Sequence, residues 1–173
     1  MCDYIQVAKQ YSIGIITYDL EGIIWESAFE YLLKNKKKIK YEKDSVHSAW
    51  IEYGGHIRKK IKNDELVLSV LMLSLPGYHG DGVVLFRGEC KFLFKDNRIG
   101  FCWTPKIDVA EMFASGLNAE ESGGVLLKAF APKEAIMAGP NNHSAGTMQE
   151  FEYTCNPHLL KNMGVVKCYD KRE

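Results

Sequence analysis

Nothing in this chain is spaced to hold a metal through paired cysteines or to staple a small fold with disulfides. Its five cysteines, Cys2, Cys90, Cys102, Cys155 and Cys168, are odd in number and widely separated, with no C-x-x-C. That argues against a disulfide framework or a zinc site and for reduced thiols in a cytosolic setting. His47, His56 and His158 have no carboxylate or cysteine at metal-ligand spacing, so no metal is expected. An excess of one charge is also missing. The 22 basic and 22 acidic residues cancel, leaving no global field to attract nucleic acid, which would need a local patch. No apolar run reaches the ~20 residues of a membrane span. The longest, residues 66–75, carries two serines and reads as a buried element. The start, Met-Cys-Asp-Tyr, lacks the basic and then apolar pattern of a signal peptide. The expectation is a cytoplasmic protein with neither leader nor membrane anchor.

What is present fits a globular chain. Apolar residues make up 46% and charged residues 25%, which excludes general disorder, and 173 residues suffice to bury a core in one domain or one domain with an extension. Residues 12–18 (SIGIITY) read as a strand. Trp25, Ala28, Phe29, Leu32 and Leu33 recur at three and four, predicting a helix. It runs into the basic stretch 34–40 (KNKKKIK), which suits either a solvated helix end or an anionic partner. A second helix, capped by Asp44 or Ser45, carries Val46, Trp50, Tyr53 and Ile57, with Gly54–Gly55 as a kink or a close packing point. A third starts after Asn63 and ends at Pro76–Gly77.

Beyond the glycine-rich loop 78–82, strands are expected at 83–86, 91–94, 99–103, 125–131, 151–155 and 165–169. One helix interrupts them after Pro105, with Val109, Ala110, Met112 and Phe113 inward, and a short helical turn follows Pro132. Helices first and strands after predict an α+β fold, with a mainly helical region 1–77 and a β-rich core 78–173. The polar segment 139–148 reads as a loop of the kind that carries binding residues.

Three places carry candidate chemistry. Arg87 ends an apolar strand; its planar fork suits phosphate or carboxylate, and it serves equally in a structural ion pair. Its neighbour Glu89 either orients Arg87 or starts the next strand, and stays outside the candidate site. Residues 101–104 (FCWT) form a strand end feeding a helix. Glu150 and Glu152 sit two apart in a predicted strand, an arrangement that turns both carboxylates to one face, whether a cleft or a solvated edge. His79, Tyr78 and His143 lie in loops and face either solvent or the cleft.

In this order, FRGE, GFCWTPKIDVAEMFA, GGVLLKAFAPKEAIMA and EFEYTCNPHLL, residues 78–160 resemble ADP-ribosyltransferases of the arginine–serine–glutamate class. The likeness is to small bacterial and phage proteins with a tyrosine–arginine–glycine start and a Ser-Trp-Thr centre. The resemblance implies a split β-sheet core that takes NAD as substrate, with the helical N-terminal region packed on it. Arg87 would hold the NAD phosphate and ribose, and Gly88 would let backbone approach the nicotinamide amide. Cys102, Trp103, Thr104 and Phe113 complete the NAD-binding set, Thr104 supporting the nicotinamide ribose and the catalytic acid. Trp103 is either a stacking or a core residue. Glu152 matches the catalytic glutamate, and Glu150 the one that engages an acceptor guanidinium. The implied activity is mono-ADP-ribosyl transfer to a protein arginine, with nucleic acid a lesser candidate, in a phage or bacterial effector, a toxin or a self-regulator.

Cys102 departs from the family by standing where serine is usual, and a thiol is a poor donor. It motivates the rival readings of an NAD glycohydrolase or a non-catalytic nucleotide- or protein-binding module. A third reading, an interaction domain built on residues 20–76, predicts that Arg87→Ala leaves function intact.

Overall fold

Apolar residues recurring at three and four wind the first part of the chain into helices. The computed structural model describes residues 3–172, and the chain divides into two compact units, residues 1–77 and 78–173. In the first unit, α1 (Tyr4–Ser12), α2 (Gly22–Lys34), α3 (Lys43–Ile61) and α4 (Asp64–Ser74) bury Tyr11, Trp25, Phe29, Leu32, Val46, Trp50, Ile57 and Leu71. The Tyr11 and Phe29 rings meet at 4.9 Å, with Trp25 edge-on to Phe29 at 6.0 Å. Asn63 caps α4, its Oδ1 accepting from Leu66 N at 3.1 Å. Arg58 forks onto Asp64 through bonds of 2.7 and 2.6 Å, fastening the turn between α3 and α4.

The strand expected over 12–18 is not there. Ser12 ends α1, and the following segment folds back on that helix. Ile15 N donates to Gln10 O at 2.9 Å and Thr17 Oγ1 to Gln10 Oε1 at 2.9 Å, so these groups bond to the helix rather than to a partner strand. The start of α3 also differs. It begins at Lys43 with Glu42 at the cap and no side-chain cap bond, and Gly54–Gly55 lie inside it without interrupting it.

The second unit is built on two small antiparallel sheets. One has the order β1 (Val83–Cys90), β3 (Gly124–Ala131), β6 (Lys161–Tyr169); the other has β2 (Cys102–Trp103), β5 (Tyr153–Cys155), β4 (Ile136–Ala138). They join where Phe86 N donates to Thr104 O at 2.7 Å and Thr104 N to Phe86 O at 2.9 Å. Leu85, Leu127, Ala129, Trp103, Ile136 and Cys155 form the core on one face of the first sheet. On the other face α6 (Ile107–Ser115) sets Ala110 and Ala114 against Leu126, with Phe86 and Tyr169 at the margin. This is the expected α+β class: helices first, then small antiparallel sheets.

Several elements differ from their sequence pattern. Residues 91–94 form a short helix, α5 (Lys91–Lys95), because β1 runs on to Cys90 and the chain then turns, Lys91 N donating to Gly123 O at 2.9 Å and Phe92 N to Ser122 Oγ at 3.1 Å. The 99–103 strand shrinks to Cys102–Trp103, and β5 starts only at Tyr153. Strand β4 has no counterpart in the sequence reading, whereas the turn after Pro132 is a 3-10 turn, Lys133–Ala135. In α6, Ala110 and Ala114 face the sheet, and Met112, expected inside, is exposed.

The seat of α6 depends on Gly88. A Cβ there would collide with the helix backbone at Ala110 and Ala114. Since backbone cannot yield as a side chain can, Gly88→Ala is expected to lower the unfolding free energy by about 1–3 kcal/mol, read from urea midpoints at constant m-value. An unchanged midpoint would show that α6 is not seated there.

Candidate functional site

Alternation along β1 turns Leu85, Arg87 and Glu89 to the sheet face away from α6. Arg87 Nε donates to Glu89 Oε2 at 2.7 Å, and the side chains are 19% and 2% exposed. Gly100 N donates to the same oxygen at 2.9 Å and Cys90 N to Oε1 at 3.0 Å, so both oxygens of the buried carboxylate are satisfied. Arg87 Nη1 donates to Cys102 O at 2.6 Å, tying β1 to β2. These bonds use only part of the guanidinium's donors. Burial would push the Glu89 pKa up, but Arg87 and the two amides outweigh it and hold it low. Burial likewise opposes the Arg87 charge, and Glu89, Cys102 and Glu152 more than offset that.

Gly100 makes this arrangement possible, since a Cβ there would overlap the Arg87 guanidinium. Trp103 is 1% exposed, and its Nε1 donates to Gly100 O at 3.1 Å, so the indole packs in the core with its polar atom satisfied inside the protein. Thr104 is buried as well. Its Oγ1 donates to Glu150 O at 2.6 Å and accepts from Lys106 N at 3.1 Å.

The two glutamates do not alternate along a strand. Gln149 and Phe151 have φ of 57° and 52°, so Glu150 sits between two left-handed residues in a turn ahead of β5. Such conformations cost about 1–2 kcal/mol for a residue bearing a Cβ. Tertiary bonds hold them: Glu150 N and Phe151 N donate to Ser144 O at 2.8 and 3.2 Å, and Lys106 Nζ lies 3.9 Å from the centre of the Phe151 ring.

Glu152 emerges from the turn almost fully buried, 7% exposed, with no hydrogen-bond partner on Oε1. Burial pushes its pKa up to about 7. The Cys102 side chain draws it back, Glu150 adds to the rise, and Arg87 and Thr154 pull it down. Burial also raises the half-buried Glu150, against the pull of His143. The Cys102 thiol is pushed well above its ordinary range by burial and the Glu152 charge, so it remains a thiol at neutral pH.

The fold therefore gathers Arg87, Cys102, Glu150 and Glu152, with Thr104 fastened to the Glu150 backbone. Gly88 faces α6 instead, and Phe113, on α6, is half-buried at the opposite face of β1 from Arg87. Glu89, read from sequence as either orienting Arg87 or starting the next strand and left outside the candidate site, pairs with Arg87; Gly100 and Ser144 were not singled out from sequence. Two-residue spacing from Arg87 on a strand is a signal that points to Glu89; Gly100 and Ser144 act through packing and a backbone oxygen, which leave none. Among the described residues, no group of three or more His, Cys, Asp or Glu is placed to hold a metal ion, and no helix is long and apolar enough to cross a membrane. The chain matches no protein-family model, no curated protein and no solved structure.

The state of Glu152 sets a pH dependence of folding. Its folded pKa is raised, so the stability it contributes is complete below the unfolded carboxyl pKa of about 4.3 and is lost as pH rises through about 7. Glu152→Gln removes this titration. The variant is expected to be more stable than wild type at pH 8, by on the order of 3 kcal/mol, and to converge on it at about pH 4. Melting curves at the two pH values check this; an equal gap at both contradicts it.

Proposed function

We propose that the second unit is the catalytic core of a mono-ADP-ribosyltransferase, moving ADP-ribose from NAD to an arginine side chain of a protein and releasing nicotinamide. The observation that carries this reading is the meeting of Arg87 and Glu152 beside Cys102–Trp103–Thr104, on two small sheets joined at Phe86 and Thr104. That accords with the split-sheet core and the motif order of the transferase class. The unpartnered buried oxygen of Glu152 and the spare donors of Arg87 fit, respectively, a sugar hydroxyl and the phosphate and ribose oxygens of NAD.

The chemistry follows from charge. The bond between C1′ of the ribose and the nicotinamide nitrogen breaks, and its electron pair leaves with nicotinamide, which departs neutral because its ring was cationic. Positive charge develops on the ribose ring. An ionised Glu152 bonded to the 2′-hydroxyl stabilises that charge from a site already stripped of water. A guanidinium nitrogen of the acceptor then forms the new bond to C1′ and gives up a proton, with Glu150 placed to orient the acceptor and receive it. Four described cysteines are free thiols, which suits work in a reducing cytoplasm. The balanced net charge favours a protein acceptor over nucleic acid.

A second reading is favoured by one observation. Cys102 brings a thiol rather than a hydroxyl toward Glu152, and Thr104 donates to Glu150 O. With that support reduced, water could replace the acceptor and make the protein an NAD glycohydrolase, or chemistry could be absent and the site serve binding alone.

The test is incubation with labelled NAD and an arginine-rich acceptor. Nicotinamide release and labelled acceptor are expected, with kcat/KM rising as pH passes through about 7 because Glu152 must be ionised. Glu152→Gln is expected to reduce release by ~100-fold or more. Release of free ADP-ribose with no labelled acceptor would select the glycohydrolase. Binding of intact NAD would select the module, and a protein that neither binds nor cleaves NAD overturns the proposal.

A further inference from the structure

The turn that carries Glu150 is held from two sides. From one side, Thr104 Oγ1 donates to Glu150 O at 2.6 Å and Lys106 Nζ sits over the Phe151 ring at 3.9 Å. The two are coupled, since Lys106 N donates to Thr104 Oγ1 at 3.1 Å. From the other side, Ser144 O accepts from both Glu150 N and Phe151 N. Ser144 is itself fixed, fully buried, with its N bonded to Asn141 Oδ1 at 2.9 Å and its Oγ accepting from Asn141 N at 3.2 Å. Between these two holds lie the left-handed Gln149 and Phe151. Neither residue type favours that region, so the conformation persists because its surroundings over-determine it.

We propose that Thr104, Lys106 and Ser144 form a three-point clamp whose role is to set Glu150 against Glu152, and so to set the partition between transfer to a guanidinium acceptor and hydrolysis. They act as positioning residues. This rests on the transferase reading of the same site and changes one part of it. The Thr104 hydroxyl proton is directed to the protein backbone, so its contribution to the reaction passes through Glu150 rather than through the nicotinamide ribose. Glu152 lies beyond the turn and keeps its burial when the clamp loosens, whereas Glu150 is carried by the clamped peptide itself. Loosening therefore acts on the acceptor side of the reaction more than on cleavage of NAD.

The experiment compares wild type with Thr104→Val, Thr104→Ser and Lys106→Met. It reads the ratio of ADP-ribosylated agmatine to free ADP-ribose formed from NAD, the KM for NAD, and amide exchange at Glu150 and Phe151. Thr104→Val is expected to lower the ratio about tenfold with KM for NAD within about twofold, and to speed exchange at both amides. Thr104→Ser, which keeps the donor, restores the ratio. Lys106→Met lowers it about threefold, and this second variant keeps the test decisive should Thr104→Val not fold. An unchanged ratio in folded Thr104→Val or Lys106→Met overturns the proposal. So do wild-type amides at 150 and 151 that exchange as an open loop, whether or not NAD is cleaved. Protected amides in a wild type that cleaves no NAD overturn the transferase reading, and with it the partition role, while leaving the clamp as structure.

Discussion

The second unit depends on one buried ion pair, Arg87 with Glu89. Two charges out of water are tolerated only where much of their hydrogen-bonding capacity is met, and here backbone from three places completes the carboxylate and takes one further proton of the guanidinium. The Gly100 and Cys90 amides complete Glu89, and the Cys102 carbonyl takes an Arg87 proton. These contacts lie where the local structure changes: Gly100 has no side chain to overlap the guanidinium, β2 lies beside β1, and the chain leaves β1 at Cys90 into α5. Placing the pair two residues apart on a strand lets a single strand supply both charges.

That pairing also explains the state of Glu152. An arginine within electrostatic reach of a carboxylate ordinarily lowers its pKa, and Arg87 does so here, but its charge is already balanced by Glu89 at 2.7 Å. What remains is too little to offset nearly complete burial, and the Glu150 charge pushes the same way as burial. The result is a carboxyl that titrates near neutrality beside a cation that stays charged.

Much of the architecture was legible in the sequence where its signal was local. The apolar periodicity of α2, the Asn63 cap of α4 and the apolar run of β1 follow from side chains that act on their own element. The failures share a cause. Residues 12–18 and 91–94 have strand-like composition, yet their backbone groups find partners at Gln10, Ser122 and Gly123, contacts that composition does not encode. The candidate site divides in the same way. Arg87, Cys102 and Glu152, singled out by type and order, lie together, while the turn that presents Glu150 was misread as a strand. Its left-handed residues are imposed by the Ser144 carbonyl and the Thr104 hydroxyl, neither of which marks the residues it constrains.

Four consecutive residues carry several of the costs in this unit. Gln149 and Phe151 occupy unfavourable backbone regions, Glu150 is a carboxyl raised by burial, and Glu152 is an ionisable group with an unsatisfied oxygen. A chain selected for stability alone has simple alternatives at each position: glycine for the left-handed residues, an amide or an apolar side chain for Glu152. The pairing of β5 with β2 begins only at Tyr153, and the core cluster around Trp103 and Cys155 is built from other residues. Strain and an orphaned acid held in place by hydrogen bonds from two directions are a signature that clusters at functional sites, and so support the proposed reading. Residues 149–152 bear that signature more strongly than Arg87, whose place the ion pair with Glu89 already explains.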